Sequence, residues 1–161
     1  MKNLNTIISI VILVAVVVVI GFLGGKDKGN DSQEVAVISS SSIVIENDEY
    51  DFGDIDIFGG EVSTEYTLVN TGNENVLVIS ATTSCGCTEG EIGGESFGMH
   101  FGMNNDVVIP ANSSITMTGI FDPLAHGPDA VGPITRILLL QTNSLMTPEL
   151  EVRISANVTK N

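Results

Sequence analysis

The sequence predicts an all-β domain, an antiparallel β-sandwich of about seven strands, behind one N-terminal transmembrane helix. Three observations predict it. An uncharged run at residues 7–23 holds fifteen apolar side chains in seventeen positions. Beyond residue 28 no stretch carries helical periodicity, and Val and Ile supply 25 of the 52 apolar residues there; β-branched side chains favour pleated, half-buried surfaces. Six segments of strand character recur at regular intervals, separated by Gly, Pro, Asn and Asp, which is the spacing of short strands in a sandwich. A small barrel is the alternative.

The apolar run comes first. Extended through Gly24 and Gly25 it is nineteen residues, about 28 Å as a helix, against a bilayer core of about 30 Å. A cleaved secretory signal has a shorter apolar core and an A-x-A-like site. Here the run is longer and continues as GFLGGKDKGN, so residues 1–25 are expected to be a retained anchor. Lys2 on one side and Lys26 and Lys28 on the other nearly balance. The short N-terminal stub and the acidic, lysine-poor remainder place the N-terminus in the cytoplasm and the domain outside. Residues 26–42, mixing Gly, Ser and charge, read as a stalk with one weak strand at 35–38, and the domain as residues 43–161.

The strands follow in order. Residues 41–46 are the first. Residues 61–70 alternate with Val62, Thr64, Tyr66 and Leu68 on one face, then break at Asn70-Thr71-Gly72-Asn73. Residues 75–83 come next. Residues 113–121 alternate Ile115 and Met117, with a slip expected at Gly119 before Phe121. Residues 133–142 and 149–158 complete the set, the last presenting Leu150, Val152, Ile154, Ala156 and Val158 on one face.

Charge narrows the function classes. Six Lys+Arg against twenty Asp+Glu give a net charge of −14 and a pI near 4.1, yet the mean hydropathy is +0.32. Segregation resolves the conflict: beyond residue 28 there are 19 acidic and 3 basic residues (Arg136, Arg153, Lys160). Nucleic acid is excluded as a partner, because phosphate binding needs clustered cations, and anionic lipid repels such a domain. The run at residues 46–56 carries six carboxylates without the spacing of a Ca²⁺ loop, and is expected to be a solvated face. No G-x-S-x-G, Gly-rich phosphate loop or H-E-x-x-H occurs, so no enzyme is expected.

The chemistry-bearing residues are few. Both cysteines sit in Ser84-Cys85-Gly86-Cys87-Thr88. A long irregular stretch is expected at 89–106, containing Phe97, Met99, His100, Phe101 and Met103, and His126 lies in a second loop at 121–133. On a strand, Cys85 and Cys87 would have Cα atoms about 6.5–7 Å apart, at the limit for a disulfide. A tight turn at Gly86 would close a strained, readily reduced bridge. Alternatively the two thiolates are half of a soft-metal site, with Met99, His100, Met103 and His126 as ligands suited to copper, or Cys2His2 suited to zinc. In a third reading the thiols are structural and the Met/Phe loop is a packing flap. Every Cys and His falls in two loops that meet at one end if the flanking strands run antiparallel. Glu89, Glu91 and Glu95 disfavour reactive thiolates, which places metal ahead of redox chemistry and a plain structural module ahead of both.

The order Phe52-Gly53-Asp54-Ile55, Asn70-Thr71-Gly72, SCGCT, Ile109-Pro110, Thr142-Asn143 resembles bacterial Ig-like domains of unknown function with an FG-x-I … N-x-G … SCGCT … PG … TN signature. These in turn resemble ASPM/SPD-2/hydin-type modules. The likeness covers residues 43–160, and departs from the pattern at Pro110-Ala111 and in the insert at 89–106. It implies an Ig-like sandwich, commonly exported, with no established enzymatic activity and no catalytic residues. The expected function is therefore a membrane-anchored, extracytoplasmic Ig-like domain in adhesion, scaffolding or envelope organisation, with a protein partner. The alternative is an exported copper- or zinc-binding protein.

Overall fold

A computed structural model describes residues 38–160. The expected membrane anchor and residues 26–37 of the expected stalk lie outside the described residues. Among the described residues no helix is long and apolar enough to cross a membrane.

The chain folds as a two-sheet β-sandwich of ten strands. These are β1 (Ile43–Ile45), β2 (Glu49–Asp56), β3 (Val62–Asn70), β4 (Val76–Thr83), β5 (Thr88–Ile92), β6 (Glu95–Gly98), β7 (Val107–Ile109), β8 (Ser114–Phe121), β9 (Gly132–Thr142) and β10 (Glu149–Thr159). One sheet has the order β1-β3-β8-β5-β6 and the other β2-β10-β9-β4-β7. All six expected segments are strands, and β2, β5, β6 and β7 bring the total to ten, three more than the expected seven. The irregular stretch at 89–106 is in part ordered strand: β5 and β6 form a hairpin through Gly93 and Gly94, both at positive φ (60° and 84°), as a tight two-residue turn requires. The acidic run contains β2, which keeps a mostly solvated face. The sandwich also departs from purely antiparallel pairing, since β2 runs parallel to β10, with Tyr50 opposite Ile154. Edge strands so rich in carboxylates resist further edge-to-edge pairing.

Alternation builds the core. Tyr66 and Leu68 on β3, Leu138 and Leu140 on β9, and Val152, Ile154 and Val158 on β10 all point between the sheets and are buried. The slip expected on β8 does not occur. Ile115, Met117, Gly119 and Phe121 continue one inward face without interruption. Gly119 stands there because a Cβ would lie 3.0 Å from Ile154 Cδ1 and 3.3 Å from the Tyr66 ring. On β5, Gly90 is covered by the ring of its cross-strand partner Phe97. The expected flap is thus split: Phe97 is fully buried and Met103 packs on the core, whereas Met99 and Phe101 are about half exposed.

The Tyr66 hydroxyl donates to the Arg153 carbonyl at 2.8 Å. Burial, and secondarily the neighbouring Tyr50, push its pKa up to about 12. One end of the sandwich is closed by polar groups. Asn70, fully buried, donates through Nδ2 to the Glu74 and Ile109 carbonyls at 2.8 and 3.0 Å and accepts from Gly72 N–H at 3.0 Å. Asn143 Oδ1 accepts from Leu77 N–H at 2.8 Å. Ser39 and Ser41, within the expected stalk, are buried here, and Ser144 Oγ donates to the Ser41 carbonyl at 2.6 Å.

Candidate functional site

The opposite end carries the SCGCT segment between β4 and β5. Ser84 anchors it to β9 twice: its N–H donates to the Ile137 carbonyl at 2.9 Å, and its Oγ accepts from Ile137 N–H at 2.9 Å. Thr88 N–H donates to the Cys85 carbonyl at 3.1 Å, so Cys85-Gly86-Cys87-Thr88 is a turn rather than a continuation of the strand. Because the backbone turns, the cysteine Cα atoms stand 5.2 Å apart, inside the disulfide range that an extended strand strains, and Cys85 and Cys87 are disulfide-bonded. The Thr83 hydroxyl, 2.9 and 2.8 Å from the Cys85 and Thr88 carbonyls, staples the turn from below.

The two sulfurs have different surroundings. Cys85 is half-buried; its Sγ accepts from Cys87 N–H at 3.3 Å and lies 3.0 Å from His126 Nε2. Cys87 is only 3% exposed. Arg136 Nε donates to its Sγ at 3.1 Å, and the Thr88 hydroxyl lies 3.7 Å away. Arg136 reaches it because the inward face of β9 runs Thr142, Leu140, Leu138 and then Arg136, where the core opens at this end. Its guanidinium sits 6.0 Å over the Phe121 ring, and Nη1 is tied to the Thr135 carbonyl at 2.8 Å. His126 is held by the β8–β9 loop, in which Asp122 Oδ1 accepts from Leu124 N–H at 2.8 Å and Gly127 takes a φ of 91°.

The donor atoms of Cys85, Cys87 and His126 all lie within 4.8 Å of one another, a spacing at which one metal ion could be held. In the disulfide, however, neither sulfur is a thiolate, the form that ligates metal. His100, exposed, borders the same turn: its Nε2 stands 3.2 Å from where a Cβ on Gly86 would lie. Thus Cys85, Cys87, His126 and His100 gather around one turn. Met103 packs on the core, and Met99 is a half-exposed residue of the β6–β7 loop. Arg136 was missed. It is one of three basic residues beyond position 28, and its inward parity on β9 was the available signal. A cavity of about 90 Å³ adjoins the turn, lined by Glu61, Gly86, Cys87, Glu89, Asp122 and neighbouring apolar groups.

Residues 43–116, somewhat less than half the chain, match the family model described as "Protein of unknown function (DUF1573)". No curated protein matches the sequence. Among solved structures, a protein of unknown function from Porphyromonas gingivalis W83 aligns with a TM-score of 0.59 at 13% identity, over 76% of this chain and 50% of that one. That likeness shows a shared fold, and the chain spans half the length of that relative. The ASH / PapD-like domain 7 of human CEP192 aligns at 0.47 and 14% identity, over 76% of this chain and 88% of that one. The VesB protease of Vibrio cholerae aligns at 0.49 and 12%, over 74% and 32%.

Proposed function

We propose that this protein is a membrane-tethered, extracytoplasmic β-sandwich module of the Ig-like kind, akin to ASPM/SPD-2/hydin-type modules. It carries no catalytic cycle of its own and engages a protein partner in adhesion, scaffolding or envelope organisation. The observation that carries the reading is the Cys85–Cys87 disulfide, since such bonds persist in oxidising compartments and are rare in the cytoplasm. The acidic surface and the apolar run at residues 7–23 agree with display outside a membrane. Fractionation of cells producing the full chain tests it. The expected result is recovery in the membrane fraction, with the domain digested by protease added outside the cytoplasmic membrane. A protease-protected, cytoplasmic pool would overturn the reading.

A second reading rests on the Cys85, Cys87 and His126 donors within 4.8 Å. In the reduced chain they would hold copper or zinc, with His100 beside them. The reduced full chain, titrated anaerobically with Cu(I) or Zn²⁺, is expected to bind one equivalent and to lose that binding in the Cys85→Ser/Cys87→Ser variant. Equal affinity in the variant would dispose of a site built on these sulfurs.

A further inference from the structure

We propose that the Cys85–Cys87 disulfide is a thiol–disulfide exchange centre. It accepts an electron pair from an exported dithiol protein whose reactive cysteine lies in a basic surface. This goes beyond the display role and rests on it for the exported partner, whereas the test below reads the disulfide itself in the isolated chain.

The unequal sulfurs set the direction of exchange. An incoming thiolate meets Cys85 Sγ, because Cys87 is 3% exposed. Exchange passes through a mixed disulfide, and its rate depends on which sulfur leaves and how well that sulfur carries negative charge. Here the leaving sulfur is Cys87 Sγ, and Arg136 Nε–H already points at it from 3.1 Å. A guanidinium is always charged and is weakly hydrated, so it suits a half-buried ion pair. The other basic side chains among the described residues face carboxylates: Arg153 pairs with Glu49 and Glu151, and Lys160 with Asp129. Arg136, in a domain of strongly negative charge, faces sulfur. A disulfide sulfur gains little from that cation, whereas a thiolate gains a charge-assisted hydrogen bond. The placement therefore favours the reduced state and the path to it.

The step balances as follows. One thiolate of the partner attacks Cys85 Sγ; the new S–S bond forms as the Cys85–Cys87 bond breaks, and its electron pair stays on Cys87 Sγ opposite Arg136. The partner's second thiolate then attacks its own sulfur in the mixed disulfide and expels Cys85 Sγ, which lies beside His126 and the Cys87 N–H. Two electrons and two protons pass from the dithiol to the Cys85/Cys87 pair, and the partner leaves as a disulfide. Glu61, Glu89 and Asp122 line the cavity beside the turn, and the chain carries a net charge of −14. Such a surface speeds encounters with cationic partners and slows anionic ones.

The test uses the oxidised full chain in a non-ionic detergent with dithiothreitol as the dithiol probe, reading both rate and equilibrium. Arg136→Gln is expected to slow reduction about tenfold and to shift the equilibrium about tenfold toward the disulfide, a potential about 30 mV more negative; Arg136→Lys should recover most of both. Arg136→Gln within about twofold of the parent in both readings would overturn the role of the cation. The unmodified chain supplies a measurement free of folding effects. Dicysteine peptides of about +4 and −4 net charge should differ at least tenfold in rate at low salt, the cationic one faster, and converge near 1 M salt. Equal rates, or a faster anionic peptide, would overturn the basic partner. Reduction by dithiothreitol no faster than that of oxidised glutathione would overturn the exchange centre itself.

Discussion

The two ends of the sandwich use similar short polar motifs for opposite purposes. At the Asn70–Asn143 end, Asn70 spends both amide protons and its carbonyl on backbone groups, Asn143 caps Leu77, and Gly72 lets Ser41 approach where any Cβ would collide. At the other end, Ser84 and Thr83 also serve the backbone, but they do so to hold a turn whose sulfurs, imidazole and guanidinium are bonded to one another. The first end closes a fold; the second presents chemistry from it. A buried polar group fully satisfied by backbone is architecture. A cluster of side chains that satisfy each other beside solvent is a candidate for function.

Breaking the first end should cost most. Asn70→Leu leaves the Glu74 and Ile109 carbonyls and the Gly72 N–H without their partner, at about 1–3 kcal/mol for each group that stays buried. A loss of about 3 kcal/mol or more is expected, measured by denaturant unfolding with an unchanged slope. Breaking the second end should cost less. Cys85→Ser/Cys87→Ser removes a cross-link that closes a very short loop, so the unfolded chain regains little freedom, about 1–2 kcal/mol. A loss as large as that of Asn70→Leu would make the disulfide a structural staple and erase the contrast between the ends. Tyr66, in the core between them, sharpens the scale. Tyr66→Phe should cost about 1 kcal/mol for the hydrogen bond to the Arg153 carbonyl. Because burial raises its pKa from the ordinary 10 to about 12, the folded state keeps the proton that the unfolded state releases. That contribution is complete below pH 10, is lost as pH rises toward 12, and should be absent in Tyr66→Phe, which thermal melts across this range would show.

Much of the sandwich was legible as sequence because strand alternation is local. Leu150 to Val158 announce an inward face by period alone, and that face is buried. The failures have physical causes. Gly119 has no side chain to count, so the alternation predicts a slip on β8 where Tyr66 and Ile154 in fact fill its space. The β5–β6 hairpin hid because Gly90 contributes no apolar group and its partner Phe97 supplies the ring for both. The acidic β2 lacks an apolar face to betray it; its strand state comes from pairing with β10, about 100 residues away.

The site divides the same way. The gathering of Cys85, Cys87, His100 and His126 at one end was foreseeable from antiparallel strands and loop positions. The tight turn at Gly86 was one of the alternatives the sequence left open; that Arg136 meets Cys87 was not foreseeable. The β class, the strand faces, the acidity and the spacing of two cysteines across one glycine follow from composition and short-range order alone. Only the tertiary structure decided which sulfur is reachable and which cation stands behind the other. Those facts depend on contacts between segments forty and more residues apart, and no local pattern encodes them.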